Sequence, residues 1–172
     1  MIHYFGIGLS KTGTKSLCKA FKMMGFKSKH FFSPTAFKNI EAYEFANDLP
    51  VPIYYKELDK RFMNPKFILT VRDMDAWLDS CERHWKKKNY KGGYRLNYRT
   101  KMYGRPDYDR ESLQLAYKAH DWDVRHYFKR RPEDLLVFDM FNGDSWRELI
   151  DFIGEDNVRN SIDENADFPW VK

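Results

Sequence analysis

The residues best suited to chemistry stand near the N-terminus, in Gly8-Leu9-Ser10-Lys11-Thr12-Gly13-Thr14-Lys15-Ser16. Glycine lets a backbone approach an anion closely. Lys11 and Lys15 add positive charge, and Thr14 and Ser16 add hydroxyl donors. The apolar run before the loop reads as a strand. After it, Leu17, Ala20, Phe21 and Met24 are spaced for one apolar helix face. Strand, small-residue loop and helix together form a phosphate cradle. N–H groups at the helix start point at the anion, and the helix dipole favours its charge. The loop narrowly misses the nucleoside-triphosphate pattern of Gly, four residues, then Gly-Lys-Ser/Thr. Gly8 and Gly13 keep the spacing, but Thr14 stands where the lysine belongs and Lys15 comes one place late. A Gly/Thr turn that only caps a helix is the plainer alternative.

Such a loop needs a sheet to hold it, and the rest of the chain supplies one. Gly25 reads as a helix stop, followed by a short strand within 26–32. Ser33-Pro34 starts a helix, a strand is expected over 43–46, and a short helix over 54–62. The clearest strand covers 66–71, where a nearly continuous apolar run suits burial on both faces. A helix over 75–88 follows, striped by Trp77, Leu78, Cys81 and Trp85. Residues 89–107 read as a long Gly- and Tyr-rich loop. A helix over 110–129, a buried strand over 135–138 and a last helix over 145–153 complete the pattern, and His120 falls on an apolar helix face, as a core residue would. Strands alternating with helices predict an α/β three-layer sandwich around a mostly parallel sheet. Ligands then sit beyond the carboxyl ends of the strands, where the 8–16 loop, Asp48 and Arg72 all fall.

A chain of 172 residues suits a single domain over 1–172, and 42% hydrophobic content is enough for one packed interior. No stretch approaches the ~20 apolar residues of a membrane span. The N-terminus shows no basic-then-apolar leader. Cys18 and Cys81, both in predicted helices, read as reduced thiols in a cytoplasmic setting, and no Cys/His spacing suggests zinc. The formal charge of +5 favours anionic ligands. It is densest over 83–105, where Lys86, Lys87, Lys88, Lys91, Arg95, Arg99, Lys101 and Arg105 alternate with Tyr90, Tyr94, Tyr98 and Tyr103. That composition fits a single-strand nucleic-acid surface or a solvated loop.

Lys11-Thr12-Gly13-Thr14-Lys15-Ser16 resembles the 5′-phosphosulfate loop of sulfotransferases, in which the lysine precedes the glycine. Two more segments share the likeness. The strand ending in Arg72-Asp73, with Ser80 eight residues after the arginine, looks like that family's 3′-phosphate site. Asn47-Asp48-Leu49-Pro50 looks like the segment that carries its general base. Tyr117 with His120, and Arg131-Pro132 before Leu135-Leu136-Val137, are similar to a compact branch of the family. The likeness runs over about 4–155. It lacks a clear Arg-Lys-Gly loop near the C-terminus, for which 91–93 or 99–105 are the candidate substitutes.

The resemblance implies a fold like that of the P-loop nucleoside triphosphate hydrolases. It also implies transfer of a sulfuryl group from 3′-phosphoadenosine 5′-phosphosulfate to a hydroxyl or amine, without a metal. Lys11 would stabilise the leaving phosphate. Thr12, Gly13, Thr14, Lys15 and Ser16 would hold the 5′-phosphate, and Arg72 and Ser80 the 3′-phosphate, so that the product is adenosine 3′,5′-bisphosphate. Asp48 would act as general base, with Glu57 and His30 as alternatives. A solvated aspartate, with a pKa near ~3.9, needs burial or a second carboxylate to become an effective base. A small molecule or glycan is the expected acceptor, and nucleic acid is not the expected partner. Two other readings remain: a small kinase using Mg²⁺ and Asp139, and a nucleic-acid-binding module built on 83–105.

Overall fold

The computed structural model describes residues 2–87 and 92–171, so Lys88, Asn89, Tyr90 and Lys91 lie outside the described residues. Five short strands form one sheet in the order β2-β3-β1-β4-β5, with every pairing parallel. They are β1 (Tyr4–Gly6), β2 (Ser28–His30), β3 (Phe45–Asn47), β4 (Lys66–Thr70) and β5 (Leu135–Phe138). The helices between them are α1 (Thr14–Met23), α2 (Pro34–Lys38), α3 (Tyr55–Arg61), α4 (Met74–Lys87), α5 (Tyr94–Tyr103) and α6 (Arg110–Tyr127), and α7 (Trp146–Ile153) follows β5. Parallel neighbours require crossovers, and helices supply them. The α/β sandwich expected from the alternation is present.

Strand geometry sorts the core into layers, because successive side chains point to opposite faces. Tyr4, Phe45 and Ile68 join Leu17 and Phe21 of α1 and Trp146 and Leu149 of α7. Phe5, Ala46 and Phe67 join Tyr55 and Leu58 of α3 and Val124 of α6. A third cluster gathers Leu9, Leu49, Trp77, Leu78, Trp85 and Tyr103 from the loops after β1 and β3 and from α4 and α5. It forms the bed for the residues singled out by the sequence.

Two expectations are corrected. The 89–107 stretch is not an open loop: ten of its residues form α5, which starts after Gly93 and stops at Gly104, whose φ is 79°. Tyr98, Met102 and Tyr103 give that helix only a narrow apolar face, packed on the third cluster, so its periodicity is faint. β5 is not a fully buried central strand. It pairs only with β4, and Leu135, Leu136 and Val137 are half-buried.

The C-terminal segment is tied back to the sheet. Glu44, just before β3, accepts hydrogen bonds from Arg159 Nη1 (2.8 Å), from Arg159 Nη2 and from the Lys27 amide (2.8 Å). Arg159 holds the Glu44 carboxyl down at about 2, against an opposing push from burial. A carboxyl whose folded pKa is depressed contributes stability above its unfolded pKa and loses it as pH falls through the folded value. The advantage of wild type over Glu44→Gln should therefore be full at pH 7, shrink below about pH 4.5 and vanish near pH 2. Thermal melts of both proteins across that range check this, and a gap that stays constant with pH would refute it.

Candidate active site

A cavity of about 600 Å³ opens at the carboxyl ends of the strands. The loop after β1 forms its floor. No side chain caps α1, whose first hydrogen bond runs from Leu17 N to the Gly13 carbonyl. The N–H groups of Thr14, Lys15 and Ser16 therefore have no acceptor within the helix. Gly13 has φ 92°, and a Cβ there would collide with the Met140 side chain. Lys11 has φ 77°, a conformation that costs a residue with a Cβ, yet it lines the cavity. Burial and the neighbouring Lys15 both lower the Lys11 pKa.

The loop is held from beneath. Thr12 is fully buried, and its hydroxyl bonds the Leu9 carbonyl and the Thr70 hydroxyl, each at 2.6 Å. Its amide also bonds the Leu9 carbonyl (3.2 Å). The Thr12 amide and hydroxyl are thus engaged with the loop and with β4, and Thr12 is absent from the cavity lining. Trp77 Nε1 donates to the Ser10 carbonyl (2.9 Å), and the Ser10 amide donates to the Tyr103 hydroxyl (3.2 Å). Ser16 lines the cavity, and its hydroxyl accepts from the Val171 amide (3.0 Å).

Arg72 and Ser80 also line this cavity. The Arg72 backbone is bracketed by the Tyr117 hydroxyl, which accepts from its N–H (3.1 Å) and donates to its carbonyl (2.8 Å). Its guanidinium lies 4.3 Å from the Phe141 ring centre and donates to the Lys11 carbonyl (3.3 Å). Nε of Arg72 is buried without a hydrogen-bond partner. The nearby acids are engaged elsewhere, since Arg110 takes Asp75 at 2.7 Å and Asp79 at 3.5 Å. His120 is a buried core residue whose Nε2 meets the Ile7 carbonyl (2.7 Å), and burial lowers its pKa.

On the other side of the loop, Asp48 is buried, with φ 62°. Oδ1 accepts from Ser10 Oγ (2.6 Å) and the Leu49 amide (2.9 Å), and Oδ2 meets His30 Nε2 at 3.0 Å. Burial pushes the Asp48 carboxyl up, but His30, Ser10 and Leu49 outweigh it and leave the pKa below the ordinary value. The rise that would make Asp48 a stronger base does not occur. His30 also lines the cavity, and its Nε2 lies 3.1 Å from Thr14 Oγ1. Glu57 is exposed on α3, away from the cavity lining.

Several lining residues escaped the reading of local motifs. Phe141, beyond β5, lies under the Arg72 guanidinium, and Trp170 of the C-terminal segment lines the cavity beside it, with the two rings 5.2 Å apart. Arg95 and Arg99 project into the cavity from α5. Arg95 was visible only as a member of a basic run, whereas Arg99 also opens the 99–105 stretch named as a candidate substitute for the Arg-Lys-Gly loop. Asp139, the acid of the kinase reading, accepts from the Phe141 amide (3.2 Å) within its own turn and is absent from the lining. Among the described residues, no group of three or more His, Cys, Asp or Glu could hold a metal ion, and no helix is long and apolar enough to cross a membrane.

The left-handed backbone at Lys11 generates a stability prediction. Lys11→Gly and Lys11→Ala remove the same ammonium, but only glycine relieves the strain. Lys11→Gly should be the more stable of the two by about 1 kcal/mol. Chemical denaturation of both variants checks this, and equal stability would mean the loop stores no strain at this position.

A search of curated proteins returns no match. The family described as "Sulfotransferase domain" matches residues 35–172, which include Asp48, Arg72, Ser80 and the aromatic wall but begin after the phosphate loop. That match covers most of the chain, and the chain belongs to the sulfotransferase domain family.

Proposed function

We propose that this protein transfers a sulfuryl group from 3′-phosphoadenosine 5′-phosphosulfate to a hydroxyl or amine, with residues 1–172 acting as one domain. The observation that supports this reading is that one cavity is lined both by the N-terminus of α1 with Lys11 and Lys15 and by Arg72 and Ser80. A nucleoside triphosphate has its phosphates in one contiguous run. A nucleotide phosphorylated at both the 3′ and 5′ positions carries two separate anions. The buried, unpartnered Arg72 Nε supports such an occupant, because a buried donor is costly to leave unsatisfied. Two buried free thiols are the support for a reducing, cytoplasmic setting.

When bound, the donor supplies a sulfuryl group attached to a phosphate that can leave. The chain's residues supply position and charge, which dominate transfers of this kind. Thr14, Lys15 and Ser16 amides would hold the 5′-phosphate, and the Lys11 ammonium would balance the charge that builds as the phosphate leaves. Arg72 and Ser80 would hold the 3′-phosphate, with Arg72 oriented by Tyr117 and Phe141.

The acceptor's proton goes to His30 in this reading, and Asp48 positions it. A carboxylate only accepts, so the His30 proton sits on Nε2, facing Asp48, and Nδ1 keeps its lone pair. No described residue hydrogen-bonds Nδ1. The Asp48 charge then stabilises the imidazolium that forms.

Two outcomes test the assignment. Wild type should bind adenosine 3′,5′-bisphosphate more tightly than adenosine 5′-phosphate, and Arg72→Ala should erase most of that preference, a loss of roughly 1.5–3 kcal/mol per charged hydrogen bond. Calorimetric titration decides this, and equal affinities in wild type would remove the donor assignment. His30→Asn should lower turnover by about 10²–10⁴ while the bisphosphate still binds. A His30→Asn enzyme near wild-type rate, with Asp48→Asn inactive, would return the base role to Asp48.

A further inference from the structure

The C-terminal segment reaches the cavity beside the start of α1, where Trp170 and Val171 join the lining. The residues just before Val171 are held in place. Phe168 is buried, with ring centres 5.4 Å from Phe138 and 5.0 Å from Trp146. Pro169 is buried too, and its ring fixes one backbone angle. The Trp170 ring lies 5.2 Å from Phe141. The Val171 amide therefore follows three residues that fix its place.

That amide donates to Ser16 Oγ at 3.0 Å. Ser16 stands in the first turn of α1, lines the cavity and is only 2% exposed. A serine hydroxyl has one proton and two lone pairs. Val171 takes one lone pair, so the proton must point elsewhere. A serine inside a helix can spend that proton on the carbonyl four residues back. Ser16 does not, and among the described residues no group accepts from its hydroxyl. The hydroxyl is left as a buried donor beside the N–H groups that have no acceptor within α1. Accepting a hydrogen bond also polarises an O–H and strengthens it as a donor.

We propose that Val171 is a positioning residue of the donor site, whose N–H fixes the Ser16 hydroxyl as a donor to the 5′-phosphate. This deepens the sulfuryl-transfer reading and rests on it. The C-terminal segment thereby becomes part of a site whose other 5′-phosphate groups lie more than 150 positions earlier.

The test titrates adenosine 3′,5′-bisphosphate and adenosine 3′-phosphate into the intact protein by calorimetry. The ligands differ only in the 5′-phosphate, so the ratio of their affinities reads what that group contributes. Val171→Pro removes the N–H, and Val171→Ala, which keeps it, is the reference. The ratio should be about 3- to 10-fold smaller in Val171→Pro than in Val171→Ala, the worth of one uncharged hydrogen bond. In a Ser16→Ala background the same two substitutions should give equal ratios, because no hydroxyl is left to orient. Val171 is 39% exposed, so neither substitution opens the core. Equal ratios in Val171→Pro and Val171→Ala overturn the proposal, whether or not both ligands weaken together. So does a proline effect that persists without the Ser16 hydroxyl. A wild type that gains nothing from the 5′-phosphate overturns the donor reading as well.

Discussion

The site depends on one buried contact, the hydrogen bond between the hydroxyls of Thr12 and Thr70. Thr70 ends β4, and Thr12 sits inside the loop that follows β1. Gly8 lies so close to Thr70 that a side chain there would have no room. The loop is thereby pinned against the neighbouring strand, and Lys11 is carried to within hydrogen-bond reach of Arg72. The distance between the two proposed phosphate sites is set by this contact and by the parallel pairing of β1 with β4. Tyr117 and His120 extend the constraint by fixing the ends of β4 and β1 from a single helix.

Backbone strain is concentrated in the same place. Among the described residues four non-glycine residues have positive φ, and three of them, Lys11, Phe31 and Asp48, line the cavity. Strained conformations persist only where the surroundings over-determine them, and they gather at functional sites. Here the surroundings are identifiable. Ser10 is held by Trp77 and Tyr103, and Asp48 by Ser10 and Leu49, so each strained residue is flanked by a fixed one. The cost is balanced by the hydrogen bonds that enforce it.

Much of this was legible in the sequence, for a definable reason. The parallel sheet showed in the run over 66–71, and the cradle in the spacing of Gly8, Gly13 and their hydroxyl neighbours, because both are local patterns. Tyr117 and His120 were visible as a motif, but their clamping role needed the partners, 45 and 113 residues away. Arg131 was part of the likeness too, yet it pairs with Asp59 (2.7 Å) near the start of β5, where it has no part in the cavity. α5 was missed because its buried residues are only Arg99 and Tyr103, flanked by half-buried Tyr98 and Met102, which leaves too narrow an apolar stripe to show as a helical period. The state of Asp48 was beyond the sequence altogether. Its pKa is a balance of burial against His30 and Ser10, from two other segments, and the adjoining Leu49 amide.

The bond between Ser16 and Val171 joins positions 155 residues apart, and Tyr4 likewise reaches Ile153 across 149. During synthesis the loop after β1 and the start of α1 leave the ribosome well before Val171, which lies 155 residues after its partner Ser16. At about 5–20 residues per second, the nascent chain carries an unfinished cradle for many seconds. The edge strand β5 and helix α7 arrive in the same late interval. The contacts around the start of α1 are therefore completed only once the segment carrying Val171 has emerged, because long-range closure delays the reward for contacts made early.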